Sequence, residues 1–290
     1  MSCLARYFKY RVFAKHLNTA FQTISLGEIV GKYVSRDQKY YTILCYLCAN
    51  GPANLSTLAE VLVKNLGMRF STARSAVTRI YEDLKSEKVG LVVDVGVDKK
   101  GGKLVDLSPK AVYLIMHMLV IYGKKAIGFD PQLLLPVLKR YLAEDAVRKY
   151  EDLVAIMSIY EKYREKYGRK KPVKEPDYKR FMRELIETLS MERDLGLPGK
   201  YGWEDISSTV DSCIEVLLRE ISSLDFGKLR TGEYYKVLTA ILNEILSSIK
   251  FKGTREVVKK ALTKILREKK REREIIKEII DAISTAKKKL

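Results

Sequence analysis

Between Leu55 and Leu107 the spacing of apolar residues changes from one period to another. Leu58, Ala59, Leu62 and Val63 recur at helical intervals, and Gly67 follows as a stop signal. Ser71 is suited to cap the next helix, expected over 71–88, with Ala73, Ala76, Val77, Ile80, Tyr81 and Leu84 as its apolar stripe. After Gly90 the pattern becomes that of strands. LVVDVGV is rich in β-branched residues, KLVDL is its mate, and DKKGG between them is a glycine-containing hairpin loop with two lysines.

The flanks read as helix on both sides. Residues 37–49 form a helix ended by the breaker Asn50-Gly51-Pro52, and an apolar helix over Pro109–Tyr122 stops at Gly123. Residues 131–167 are helical, with a break near Ala143–Asp145 and Pro136 in the first turns, where proline is tolerated. GRKKPVKEP, ending at Pro176, is the clearest linker. Three further helices are expected over Asp177 to about Leu195, Trp203–Leu224 and Thr231–Ile249. A last one begins at Thr254, a plausible cap, and carries two apolar patches separated by the wholly polar stretch 267–274. Residues 1–35 form a basic, aromatic extension, with a helix near Thr19–Val34. The organisation is therefore an extension (1–35), a first module (36–123), connecting helices (124–168), a linker (169–176) and a helical C-terminal domain (177–290).

Charge narrows the partners. Of 290 residues, 54 are Lys or Arg and 36 Asp or Glu, a formal net charge of +18, which suits a polyanion such as nucleic acid. The excess is uneven: residues 251–290 hold fourteen basic and six acidic residues, whereas 201–250 hold five and eight. Around residues 267–274 a solvated helix face would be laced with ion pairs to near neighbours, as between Glu268 or Glu272 and Lys269 or Arg273. A second phosphate-binding surface is the alternative reading of that tail. Three Gln and five Asn beside abundant Lys, Glu, Ile and Tyr suggest a hyperthermophilic, archaeal source. The segment 1–18 has no apolar core of a signal peptide, and the apolar run 111–123, which contains His117, is too short to span a bilayer. A cytoplasmic protein with no membrane partner is expected.

Helix, turn, helix and basic hairpin is the order of a winged helix-turn-helix domain. The run SAVTRIYEDLKSEKVGLV resembles the junction between recognition helix and wing in MarR-like and related bacterial and archaeal winged-helix regulators, and Leu107-Ser108-Pro109 opening a helix after the second strand fits the same pattern. The resemblance covers residues 36–122. The fold expected is mainly α: three helices and a β-hairpin wing, then an all-α C-terminal region. In several such families the helix after the wing leaves the DNA-binding unit to join a dimer partner.

With Val77, Ile80 and Leu84 turned inward, the opposite face of helix 71–88 presents Ser71, Thr72, Arg74, Ser75, Thr78 and, at its edge, Arg79. That set of donors suits the major groove. Arg69, just before the helix, suits a phosphate. Glu82, Asp83 and Glu87 come later on the helix, away from the half that enters the groove. On the 97–103 wing, Lys99, Lys100 and Lys103 suit backbone phosphates or the minor groove.

Chemistry other than binding has little to rest on. There is no Walker A loop, no Gly-x-Ser-x-Gly and no His-Glu-x-x-His, and His16 and His117 are far apart with no evident partner. No enzyme activity, catalytic residue, cofactor or metal is expected. Cys45 and Cys48 form a Cys-x-x-Cys inside a helical apolar pattern, which reads as buried helix cysteines rather than a zinc or redox centre; Cys3 and Cys213 stand apart. Two classes remain. One is a transcription regulator, expected as a homodimer on double-stranded DNA. The other is an architectural or plasmid or virus segregation adaptor whose C-terminal helices recruit a protein partner.

Overall fold

The computed structural model describes residues 37–167, 176–194, 201–222 and 231–268. The N-terminal extension, the linker up to residue 175, the end of the helix expected to close near Leu195 and the second apolar patch of the last helix lie outside the described residues.

Helix α1 (Asp37–Asn50) buries Tyr40, Ile43, Leu44, Leu47 and Cys48; of the apolar positions Tyr41, Leu44, Cys45, Leu47 and Cys48 that its periodicity suggests, Tyr41 and Cys45 are only partly covered. Gly51 ends it with a positive φ of 90° and donates its N–H to the Leu47 carbonyl. A Cβ at Gly51 would also lie 2.8 Å from the Arg140 guanidinium, the end of a flexible side chain, so it is the positive φ that requires glycine. Strand β1 (Ala53–Asn54) leads into α2 (Leu55–Leu66), which Gly67 closes in the left-handed conformation as expected.

Helix α3 (Phe70–Lys85) differs at both ends from expectation. Its N-cap is Arg69, with no side-chain cap bond, so Ser71 is a residue within the first turn and does not cap the helix. The helix stops at Lys85, and Glu87 sits in the turn that follows. Strands β2 (Val92–Val97) and β3 (Lys103–Leu107) form the expected hairpin. The sheet is antiparallel, ordered β1-β3-β2, with an irregularity between Asp94 and Gly96 on the outer strand. Two-residue β1 has no strand signal of its own; pairing with β3 creates it.

Helix α4 (Pro109–Tyr122) is capped by Ser108, whose hydroxyl accepts the Ala111 N–H and donates to the Gly90 carbonyl. Every residue from Lys110 to Tyr122 is buried. Its cover comes from this chain, because α8 (Asp177–Asp194) and α9 (Trp203–Ser222) pack on it. Between α4 and α8 run the short α5 (Lys124–Ile127), a 3-10 turn (Pro131–Leu134), α6 (Leu135–Tyr141) and α7 (Glu144–Tyr167). The break expected near Ala143–Asp145 falls at Leu142 and Ala143. Helices α10 (Thr231–Ser248) and α11 (residues 252–268) complete the described chain. One contiguous set of buried apolar side chains extends from Tyr40 to Ile265.

Helix α11 starts before Thr254, which is inside it and fully buried. The lead-in to α11 is fixed from a distance: the buried carboxylate of Asp152, on α7, accepts the N–H groups of Lys250 and Phe251 at 3.0 and 3.1 Å. A second buried carboxylate ties the hairpin to the helical body. Asp106 on β3 accepts from the Tyr141 hydroxyl at 2.7 Å and from Arg140 Nη2 at 3.3 Å. Tyr141 in turn stacks on Trp203, at the start of α9, with ring centroids 4.2 Å apart. Among the described residues no helix is long and apolar enough to cross a membrane.

Candidate nucleic-acid interface

Burial of Ala73, Val77, Ile80 and Leu84 fixes the rotation of α3. Ser71, Thr72, Arg74, Ser75, Thr78 and Arg79 are consequently all exposed, as is Arg69 at the N-cap. The six helix residues divide between two flanks. Ser71, Thr72, Ser75 and Arg79 line a shallow open groove completed by Ala76 and by Lys39 of α1. By helical rotation Arg74 and Thr78 belong to the other flank, toward β2. On the α1 side the Tyr40 hydroxyl donates to Asp83 at 2.5 Å, which places that acid against α1 rather than on the open face.

The hairpin is fastened to α3 by a three-residue cluster. The Tyr81 hydroxyl donates to Asp94 Oδ1 at 2.7 Å, and Lys85 Nζ donates to Asp94 Oδ2 at 2.6 Å and to the Tyr81 oxygen at 2.9 Å. The Lys85 and Tyr81 bonds hold the Asp94 carboxyl below its usual range, and Asp94 raises the Lys85 ammonium. Lys85 thus spends its charge inside the protein. The tip is ordered by Asp98, whose Oδ1 accepts the N–H groups of Lys100 and Gly102, each at 2.8 Å. Its Oδ2 accepts the Asn54 amide at 2.6 Å. These bonds, that from Gly102 foremost, lower the Asp98 carboxyl. Asn54 also caps α2 by accepting the Thr57 N–H, so one side chain anchors both a helix start and the hairpin tip.

Lys99, Lys100 and Lys103 are exposed on this hairpin. The side chains of Arg69, Arg74, Arg79, Lys99, Lys100 and Lys103 make no hydrogen bond or ion pair among the described residues. Lys100 and Lys103 act on Asp98 and Asp94 only through the field. Some cations elsewhere are engaged: Lys149 with Asp211, Lys162 with Glu244, Arg219 with Glu215 and Glu268. Unpaired basic side chains beside hydroxyls offer donors that an anionic partner can take without first breaking an internal bond.

Sequence reasoning missed Lys39, since nothing local to α1 says that it faces α3. It also missed the Tyr81–Lys85–Asp94 fastening. The Asp98 turn was open to discovery, because Asp followed four residues later by Gly is a turn signal. Cys48 and Cys213 are fully buried free thiols and Cys45 is partly covered; burial pushes Cys45 and Cys213 each up to about 12 and Cys48 upward as well, away from thiolate chemistry. Burial likewise lowers His117 to about 3, keeping it neutral within α4. Among the described residues no group of His, Cys, Asp and Glu could hold a metal ion. No protein-family model, no curated protein and no solved structure matches this chain.

Proposed function

We propose that residues 37–122 are a winged helix-turn-helix module that binds double-stranded DNA, and that the chain is a transcription regulator. In this reading the N-terminal half of α3 enters the major groove, and the β2-β3 hairpin lies on the backbone or in the adjacent minor groove. The observation that carries it is the set of six basic side chains on α3, its N-cap and the hairpin that have no ion pair or hydrogen bond among the described residues, in a chain whose other cations are often paired. Arg74 suits a bidentate contact to guanine, while Ser71, Thr72, Ser75 and Thr78 suit base edges or phosphates. Lys39 joins Arg79 as a phosphate contact on the α1 side of the groove. A homodimer presenting two such modules on a pseudo-palindrome supplies the affinity that one short helix lacks.

The test is equilibrium binding of the full chain to duplex DNA over a range of salt, after footprinting upstream of its own gene has located a site. Replacing Lys99, Lys100 and Lys103 together with Ala should weaken binding to every sequence and flatten the log–log salt slope by about 0.9 per lost phosphate contact. Arg74→Ala should instead relax preference at one base position, by about 1–3 kcal/mol. Unchanged slope and unchanged preference in both variants would falsify the reading.

A further inference from the structure

Helix α11 carries a second line of positive charge, unpaired among the described residues. Its inner face is committed, with Val258 and Ala261 buried in the core. Its flank toward α9 is committed as well, since Lys264 pairs with Glu215 at 2.7 Å and Glu268 with Arg219 at 2.9 Å. Lys269 and Arg273, the neighbours on its own helix expected to pair with Glu268, lie outside the described residues. What remains outward is Lys252, Lys259, Lys260 and Arg267, all exposed, with no ion pair or side-chain hydrogen bond among the described residues. Glu256 is the single acid among them and is in no ion pair.

We infer that this face of α11 grips the phosphate backbone of a second duplex segment, while α3 and the hairpin hold the first; the inference rests on the DNA-binding reading above. Charge and shape favour a nucleic acid. From Lys252 to Arg267 the helix rises about 22 Å. Over that length a duplex presents on the order of ten phosphates, at about one charge per 1.7 Å. A membrane surface is disfavoured, because a helix lying on lipid must turn its apolar face outward, and here that face is in the core. Leu266 is the one large apolar side chain exposed on α11. The surface is also distinct from the first: α11 pairs with α9 and its lead-in is bonded to Asp152 on α7, whereas α3 packs on α2 and β2. Packing leads from α3 through β2, β3 and α4 to α9 before it reaches α11.

The experiment tethers one duplex to a bead, loads the full chain on it, and measures capture of a second, fluorescent duplex. Lys252, Lys259, Lys260 and Arg267 are replaced together by Ala, and circular dichroism checks that the helices survive. The expected result is an affinity for the first duplex within about twofold of wild type, with capture of the second reduced about tenfold or more. The salt slope of capture should fall by roughly 0.9 for each cation removed. Undiminished capture would overturn the proposal, since bridging would then come from two copies of the α3 surface. So would a loss confined to binding of phosphatidylserine vesicles, which would assign the face to a membrane. The two readings fail separately: duplex binding insensitive to the Arg74 and hairpin variants sinks the first, and capture insensitive to the α11 variant sinks only the second.

Discussion

Helices α3 and α4 contain sixteen and fourteen residues, are separated only by the hairpin, and occupy opposite surroundings. Helix α3 buries one stripe of four side chains and leaves the others facing water or its two flanks. Helix α4 is buried on every side, by the sheet, α8 and α9. The difference teaches where freedom to bind resides. A helix anchored by one stripe keeps a face whose residues owe nothing to stability; a helix enclosed on all sides has none to spare. The arginines of α3 are exposed on that face, while the Ser75 and Thr78 hydroxyls donate to the Ser71 and Arg74 carbonyls one turn back. The helix after the hairpin is covered by its own chain, through α8 and α9.

The contrast is broken most sharply by truncating one residue on each helix. Leu119→Ala, at a position 1 % exposed, should cost about 2–5 kcal/mol in denaturant unfolding. Thr78→Ala on the exposed face of α3 should stay within about 0.5 kcal/mol. Equal losses would mean that the outer face of α3 contributes to the fold and is not reserved for a partner.

A smaller effect is expected where the two regions are joined. Asp106→Ala removes the buried acceptor shared by Arg140 and Tyr141. Arg140 keeps some access to water, so the loss should fall near the lower end of that for a broken buried pair, about 3 kcal/mol. Tryptophan fluorescence supplies the check, because Trp203 stacks on Tyr141 and should report the disturbance. No change in either stability or emission would show that the hairpin and α9 are not coupled through this carboxylate.

The smallest effect concerns the hairpin tip and its dependence on pH. The Asp98 carboxyl is held below its ordinary value of 3.8 in the folded chain. A carboxyl with a lowered folded value contributes order that is fully present above its unfolded value and lost as pH falls through the folded one. The amide signals of Lys100 and Gly102 should accordingly keep their neutral-pH positions to below pH 3.8 and then shift, with global melting little altered. Asp98→Ala should show the shifted signals already at neutral pH. A titration midpoint at or above 3.8 would remove Asp98 as the organiser of the tip.

Much of the first module was legible because its signals are local. Gly67 and Gly123 stop helices where they stand, and the change from helical to strand pattern after Gly90 marks the hairpin. The rotation of α3 followed from the spacing of Val77, Ile80 and Leu84 alone. The ends of α3 were misjudged because Ser71 has the chemistry of a cap, while the chain already turns at Arg69. Thr254 misled for the same reason: it can cap, but the helix already begins at residue 252.

What the sequence determined by itself is therefore periodicity and punctuation: which segments are helix or strand, which face of each is apolar, and which exposed face of α3 gathers hydroxyls and arginines. These depend on the residue and its near neighbours, through backbone sterics and side-chain spacing. Tertiary structure alone decided the partners. Asp94 pairs with Lys85, Asp152 fixes the lead-in to α11 from another helix, and Lys39 comes to line the same groove as Arg79. Each of these contacts closes a loop between residues far apart or on different elements. Its geometry is set by how the buried stripes pack against one another, and no local pattern of residues encodes that.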